Sequence, residues 1–412
     1  MTRPPETARP TEQGNPMQIR DVKCYVLKDE PEIRRENSAD RGSMAPVPPG
    51  ISGLFTHDQG FGAGAPDGYA FTGDGPEPKY RLVIRLVTDG DLDAYADYGT
   101  GYDPRELEWQ GRQFLARYAH MLIGVDAFDR EYVWQRFWMA QRFMYTGRGL
   151  LDTVDRMLWD LASRSARLPI YKLLGACRES VPAYCNVGGR TIDDLVANAV
   201  QRVEEEGFIG CKDHSYRGVK TNGEMAEKLR EALGGDIMLF HDPVESYTYE
   251  EAVKIGRIME KCSYRWIEEP LQDYDILGLK KLCATLDLPV LTLEWIGAIG
   301  GQPYNTAPYL AMQAADIVRQ RGIGITGQIK QAQLAESFGV EVHGGDPHVI
   351  LAIGNDPVFE AFMGLQPRPP DEELDCRGTL VVEDGAMSIA WSDRPAPEPD
   401  WDEMARSAVA VI

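Results

Sequence analysis

The stretch Asp236–Trp295, DIMLFHDPVESYTYEEAVKIGRIMEKCSYRWIEEPLQDYDILGLKKLCATLDLPVLTLEW, holds three short apolar runs that each close on a carboxylate. They are Asp242 in MLFHDP, Glu268 in RWIEEP and Glu294 in VLTLEW, each 26 residues after the last. A strand with its crossover helix takes roughly 30 residues, so equal spacing puts the three acids at the ends of neighbouring parallel strands. In a parallel barrel those ends converge on the C-terminal rim, where barrel active sites lie. A single strand-terminal acid reads more readily as a cap for the next helix. Three in phase, with oxygen donors and no cysteine beside them, point to a hard divalent cation, Mg²⁺ above all.

Outward from this stretch the same alternation continues. Apolar strands are expected at 182–187, 207–212, 236–242, 264–268, 289–294, 314–319, 339–343 and 356–361, separated by helical patterns such as 193–206, 222–233, 249–261, 275–286 and 327–338. Eight strands alternating with helices indicate an α/β protein built on a (β/α) barrel. Upstream, Met17–Leu27 alternates as a first strand, and YRLVIRLVT at 80–88 followed by Asp89-Gly90 enters a hairpin. Residues 105–145 carry helical patterns, and RGLLDTVDRMLWDLASRSA at 148–166 is the clearest helix. The intervening segment, 28–79, is rich in Gly, Pro, Asp and Ser and far longer than an ordinary connection, so it reads as a lid over a site, with a disordered insertion or an oligomer contact as alternatives.

The 412 residues leave room for a full barrel and a second domain, and 43% hydrophobic content supports a large core. A net charge of −21 and a pI near 4.8, with no basic run, exclude nucleic acid and anionic membrane as partners. The seven cysteines never form a C-x-x-C pair and read as reduced thiols of a cytoplasmic protein. No apolar run is long enough to span a bilayer, and residues 1–16 read as a disordered leader without a secretory core.

Other reactive side chains fall at strand ends. Lys212 and His214 close GFIGCKDH, two residues apart and therefore on one face. His343 closes GVEVH on the opposite side of the barrel, and Glu360 closes PVFE. A cation flanked by a Lys/His pair on one side and a His on the other suits removal of a proton next to a carboxylate. The enediolate that results is too basic to form unaided, so its oxygens need neutralising while a placed base takes the proton.

These stretches together resemble the enolase superfamily, mandelate racemase-like subgroup. The resemblance is carried by LLDTVDRMLWDLASRSARLPIYKLLGA, the Asp242 site, WIEEPL, TLEW, GITG at 324–327 and VEVHGG, and runs from about residue 17 to the end. It implies a modified (β/α)7β TIM-type barrel at 148–361 under an α+β capping domain made from residues 17–147 and 362–412. It further implies one Mg²⁺ per subunit, with Mn²⁺ as a substitute, on Asp242, Glu268 and Glu294. Lys212 and His214 match the second-strand base motif, His343 the opposite acid/base, Glu360 the acid that bonds the enediolate, and Glu269 a group behind the ligands. A homo-oligomer follows by analogy.

Two positions depart from the family pattern. The base motif reads Lys-Asp-His, which places His214 nearest the α-carbon and leaves Lys212 as a fixed charge. At strand six the family's Asp, which orients the strand-seven His, is absent from IVRQRGIGITG, where Arg319 and Arg321 stand instead. His343 is therefore expected to lack its carboxylate. That asymmetry favours a dehydratase, which removes the α-proton of an acid sugar (aldonate or aldarate) and expels a β-hydroxyl to give a 2-keto-3-deoxy acid. An epimerase or lactone cycloisomerase is the first alternative, and a non-catalytic metal-binding scaffold the second. His241, Trp295, Arg319 and Arg321, with Gln302, Tyr304 and Asn305, lie where a polyhydroxylated substrate would extend.

Overall fold

The computed structural model of the chain describes residues 17–30, 78–145, 148–189, 191–294, 302–321 and 323–412. The proposed leader, the 31–77 part of the long insertion and Trp295 lie outside the described residues.

Strands β1 (Ile19–Lys28), β2 (Tyr80–Thr88) and β3 (Ala94–Gly101) form an antiparallel sheet. Two helices, Pro104–Leu122 and Arg130–Phe143, lie with it around a core that includes Cys24, Ile84, Phe114 and Trp134. The first helix begins where Asp103 accepts the Arg105 N–H and Pro104 supplies a preset φ.

The barrel follows in eight short strands: β4 (Ser180–Val187), β5 (Gly210–Asp213), β6 (Met238–His241), β7 (Trp266–Glu268), β8 (Val290–Thr292), β9 (Ile317–Arg319), β10 (Glu341–His343) and β11 (Phe359–Ala361). Parallel pairing runs unbroken from β11 through β4 to β10. Most of these strands start two or three residues later than their apolar runs, because the first residues of each run serve as the turn leaving the preceding helix. The crossover helices have local start signals: capping boxes Thr191/Asp194 and Thr248/Glu251 open Ile192–Glu204 and Tyr249–Lys261.

Alternation along the strands sorts their side chains into two layers. Tyr184, Phe240, Trp266, Leu291 and Ile317 point inward and fill the barrel as one cluster. Cys185, Cys211, Leu239, Ile267, Val290, Val318 and Val342 point outward against the helices. In the inner layer the Tyr184 and Phe240 rings, and the Phe240 and Trp266 rings, have centroids 4.2 Å apart, and this aromatic floor closes the barrel beneath the rim.

The C-terminal segment divides. Strands β12 (Thr379–Glu383) and β13 (Ala386–Ala390) form a hairpin that extends the barrel sheet antiparallel to β4. Helix Trp401–Ser407 and β14 (Ala410–Val411) lie on the N-terminal sheet, where β14 pairs with β1. The last dozen residues thus return to the capping layer, while the β12–β13 hairpin stays with the barrel sheet.

Helix Arg148–Ala166 ties the layers together through charge. Asp152 accepts the Gly324 N–H at 3.0 Å and Asp155 the Thr326 N–H at 2.9 Å, so two carboxylates face the N-terminus of helix Gly324–Glu336. Burial pushes the Asp155 carboxyl up to about 7 despite its bonds from Thr326. Between its ordinary value and 7 the folded chain holds this proton more tightly than the unfolded chain. Asp155 therefore lowers stability as pH rises through that window, by about 1.4 kcal/mol per pH unit at most. Asp155→Asn should flatten the fall in thermal midpoint between pH 5 and pH 8; an unchanged slope would show that the proton is lost elsewhere.

Candidate active site

Four carboxylates and three cations converge above the aromatic floor. Lys212, inward on β5 and 1% exposed, lies with Nζ 3.3 Å from Asp242, 3.1 Å from Glu268 and 2.9 Å from Glu360. Arg319, at the end of β9, reaches Glu268 at 3.2 Å, Glu294 at 3.0 Å and Glu360 at 2.8 Å. Arg321 donates to Glu294 from Nε at 2.8 Å. Burial alone would drive the Lys212 ammonium down, but Glu268 and Glu360 more than offset it and hold it well above its ordinary range. Burial likewise works against ionisation of Glu268, and Arg319 and Lys212 outweigh it, bringing that carboxyl down to about 2.

His214 lies just beyond β5, on the same side as Lys212. Its Nε2 is 3.2 Å from Asp242 Oδ2, and unlike Lys212 it is partly open, with 28% of its side chain exposed along a cavity beside the rim.

The strand-seven histidine is placed differently from expectation. His343 is 1% exposed, its ring 4.8 Å from that of Trp266, and its Nε2 lies 2.8 Å from the Tyr184 hydroxyl. Its Nδ1 faces Asp356 Oδ1 at 3.4 Å. Asp356 is fully buried in the segment before β11, and burial raises its carboxyl above the ordinary range. The expectation that His343 has no carboxylate partner is corrected: the partner comes from the loop ahead of β11 rather than from the end of β9. An ionised Asp356 can only accept, so the pair favours a proton on Nδ1 and leaves Nε2 to accept from Tyr184.

His241 is also corrected. It is fully buried, with Nδ1 2.8 Å from Asp213 and Nε2 3.0 Å from the Tyr247 hydroxyl. Asp242 points inward, so its strand neighbour His241 must point out toward the helices, away from substrate. Gln302 serves backbone as well, with its amide N 3.2 Å from the Leu293 and Arg319 carbonyls. Tyr304 packs on the Trp138 ring at 4.9 Å, on the capping side.

A second group of acids stands behind the first. Among the described residues, Glu245, Glu269 and Asp273 are the three whose oxygens all lie within 4.8 Å of one another. Glu269 follows Glu268 at a positive φ of 42°, past the end of the strand, and burial with Glu294 and Asp242 nearby pushes its carboxyl well above the ordinary range. Glu245 accepts the Asp273 N–H at 2.7 Å, Asp273 accepts the Leu293 N–H at 2.7 Å, and the Glu245 N–H bonds the Glu269 carbonyl at 2.7 Å. These acids brace the backbone that carries Asp242, Glu268 and Glu294. The inner trio is wider, held apart by Lys212 and Arg319. Its donors are all hard oxygens, and Glu268 Oε1 is buried without a hydrogen bond, so these residues fit a divalent cation at the rim.

Gly344 fixes the position of Arg319. Its φ is +77°, and a Cβ there would stand 2.7 Å from the Arg319 guanidinium carbon. Gly344→Ala should displace Arg319 and lower Mg²⁺ affinity or turnover at least tenfold; a variant with both at wild-type values would show that Arg319 need not hold this position.

Residues 194–395 match the family of enolase C-terminal domain-like sequences. The chain is 32% identical over 344 residues to an L-talarate/galactarate dehydratase of Salmonella typhimurium, covering 77% of this chain and 80% of that protein. It is 28% identical over 324 residues to a D-galactonate dehydratase family member of a Paenibacillus species, covering 68% and 74%. The crystal structure of D-glucarate dehydratase from Agrobacterium tumefaciens complexed with magnesium superposes with a TM-score of 0.71 at 26% identity, over 96% of this chain and all of that one. With its barrel, antiparallel capping sheet and rim of acids, the chain belongs to the enolase superfamily, as a mandelate racemase-like member of the acid-sugar dehydratase kind and hence a hydro-lyase.

Proposed function

We propose that the chain is a Mg²⁺-dependent dehydratase of an acid sugar, with Asp242, Glu268 and Glu294 as the metal ligands. A cation bound there would neutralise the oxygens of the substrate carboxylate and of the enediolate. The observation that carries the division of labour is the contrast between Lys212 and His214. Lys212 is sealed among three carboxylates and holds a positive charge toward the substrate's oxygens, whereas His214 is partly open beside Asp242 and is free to take the α-proton.

Glu360, bonded by Asn186 at 3.0 Å and paired with Arg319, is held where it can hydrogen-bond the enediolate. His343 would act as an imidazolium, with its Nδ1–H kept on Asp356, and give its Nε2 proton to the departing β-hydroxyl, which leaves as water. The enol then collapses to the 2-keto-3-deoxy acid. Arg319, buried in the cluster, and the more exposed Arg321 would be available to substrate oxygens if a cation neutralised Glu268 and Glu294. The different environments of the two histidines, one open and one buried, support elimination over a symmetrical racemisation, which needs two equivalent bases.

Purified protein with Mg²⁺ and a stereochemically broad panel of mono- and dicarboxylic sugar acids is expected to give a semicarbazide-reactive keto acid, lost on chelation and restored by Mg²⁺. In D₂O, inversion with α-deuterium incorporation and no keto product would instead select an epimerase.

A further inference from the structure

His343 is held at both ring nitrogens, by partners that come from different elements. Asp356 Oδ1 faces Nδ1 at 3.4 Å from the loop ahead of β11, and the Tyr184 hydroxyl reaches Nε2 at 2.8 Å from the first barrel strand, β4. β11 pairs with β4, and among the described residues no ladder joins it to β10. The bond from Tyr184 to His343 crosses that seam, where backbone pairing does not fix the direction of the histidine ring.

The phenol is locked in place. Its ring is fully buried, with its centroid 4.2 Å from that of Phe240 and 6.0 Å from that of Trp266. Register sets Tyr184 opposite Glu360 on β11, and Glu360, Lys212, Glu268 and Arg319 are the charges that act on its hydroxyl. Burial, with Glu360 next, raises the phenol well above its ordinary range, so it keeps its proton wherever a histidine titrates. A protonated hydroxyl can donate to the bare Nε2 of a neutral imidazole and, after turning about its C–O bond, accept from the Nε2–H of an imidazolium. His343 is 1% exposed and the Trp266 ring lies 4.8 Å from its own, so Nε2 depends on Tyr184 for a partner in either state.

We propose that Tyr184 is a positioning residue for the elimination step: its hydroxyl directs Nε2 of His343 and bonds that nitrogen in both protonation states of the ring, so that Asp356 keeps the Nδ1–H throughout. The inference deepens the dehydratase reading and rests on it for the step affected. The imidazolium carries a proton on each nitrogen; the Nε2 proton passes to the departing β-hydroxyl, the C–O bond breaks with its electron pair on oxygen, and water leaves. The neutral ring that remains again accepts from Tyr184. The phenol neither gains nor loses a proton over this cycle and acts through His343, without touching substrate.

Tyr184→Phe removes the hydroxyl and keeps the ring in the floor. One readout is ¹⁵N NMR of the histidine ring nitrogens, with the His343 signals identified by their absence in His343→Asn. The other is the partition between α-proton exchange in D₂O and keto-acid formation, across the panel of sugar acids with Mg²⁺. Above the pH range in which its histidines are protonated, wild-type protein should show Nδ1 of His343 as a protonated nitrogen and Nε2 as a hydrogen-bonded acceptor. In Tyr184→Phe the Nε2 signal should move to the position of an unbonded acceptor. Keto-acid formation should fall at least about tenfold in kcat, with KM and exchange within about threefold of wild type. An unmoved Nε2 signal overturns the assignment, as does an equal fall in exchange and keto acid, which would leave Tyr184 only a part of the aromatic floor. If the variant does not fold, the wild-type spectrum decides: a bonded acceptor at Nε2 supports the assignment, and a protonated or unbonded Nε2 overturns it. A shifted Nε2 signal, with no keto acid from wild-type protein on any acid of the panel, keeps Tyr184 as the partner of His343 and overturns the dehydratase reading.

Discussion

His214→Ala is expected to lower keto-acid formation by roughly 10² to 10⁴, the range a placed general base supplies, with Mg²⁺ affinity unchanged within a few fold. Two side chains at the end of the second barrel strand reach Asp242, Lys212 from within β5 at 3.3 Å and His214 from just beyond it at 3.2 Å. A lysine must be neutral to accept a proton, and the Glu268 and Glu360 carboxylates hold Lys212 as an ammonium. His214 has no comparable enclosure and borders open space. Exchange of the α-proton with D₂O, read by NMR, isolates the step: it should vanish with the dehydration in His214→Ala and return in part with added imidazole. Exchange at the wild-type rate in this variant would assign the proton to another group.

Asp356→Asn is expected to reduce dehydration by about 10² or more while α-proton exchange continues. Asp356 is fully buried, and its one oxygen on His343 Nδ1 sets which ring nitrogen carries the proton. An amide at that position can donate to Nδ1 as readily as accept from it, which permits the tautomer that carries its proton on Nε2 and removes the carboxylate that stabilises the imidazolium. Because His214 lies on the other side of the barrel, the two half-reactions should separate: exchange persists and expulsion of the β-hydroxyl fails. A parallel loss of both would make Asp356 a structural residue, as would a fall in thermal stability large enough to account for the rate. Asp356→Glu, which keeps the charge, should recover more activity than the amide.

Much of this site was legible from single residues. The interval separating Asp242, Glu268 and Glu294 reflects the length of a βα unit, which local periodicity and capping residues dictate, and the two-residue step from Lys212 to His214 places both on one face for the same reason. The same rule of alternation could have turned His241 outward, since it neighbours the inward Asp242. Asp356 had a weaker signal, a polar Asn-Asp-Pro ahead of an apolar run. Its meaning depended on a histidine 13 residues away.

The sequence by itself determined the barrel, its strand order and the inner ring of acids, because strand period, helix capping and βα length act over short separations along the chain. Only the tertiary structure decided which cations balance those acids, which carboxylate serves His343, and which open space adjoins His214. Those relations join residues near opposite ends of the paired run of strands, Arg319 with Glu360 and Tyr184 with His343, whose distances are set by closure of the sheet and by packing of the aromatic floor.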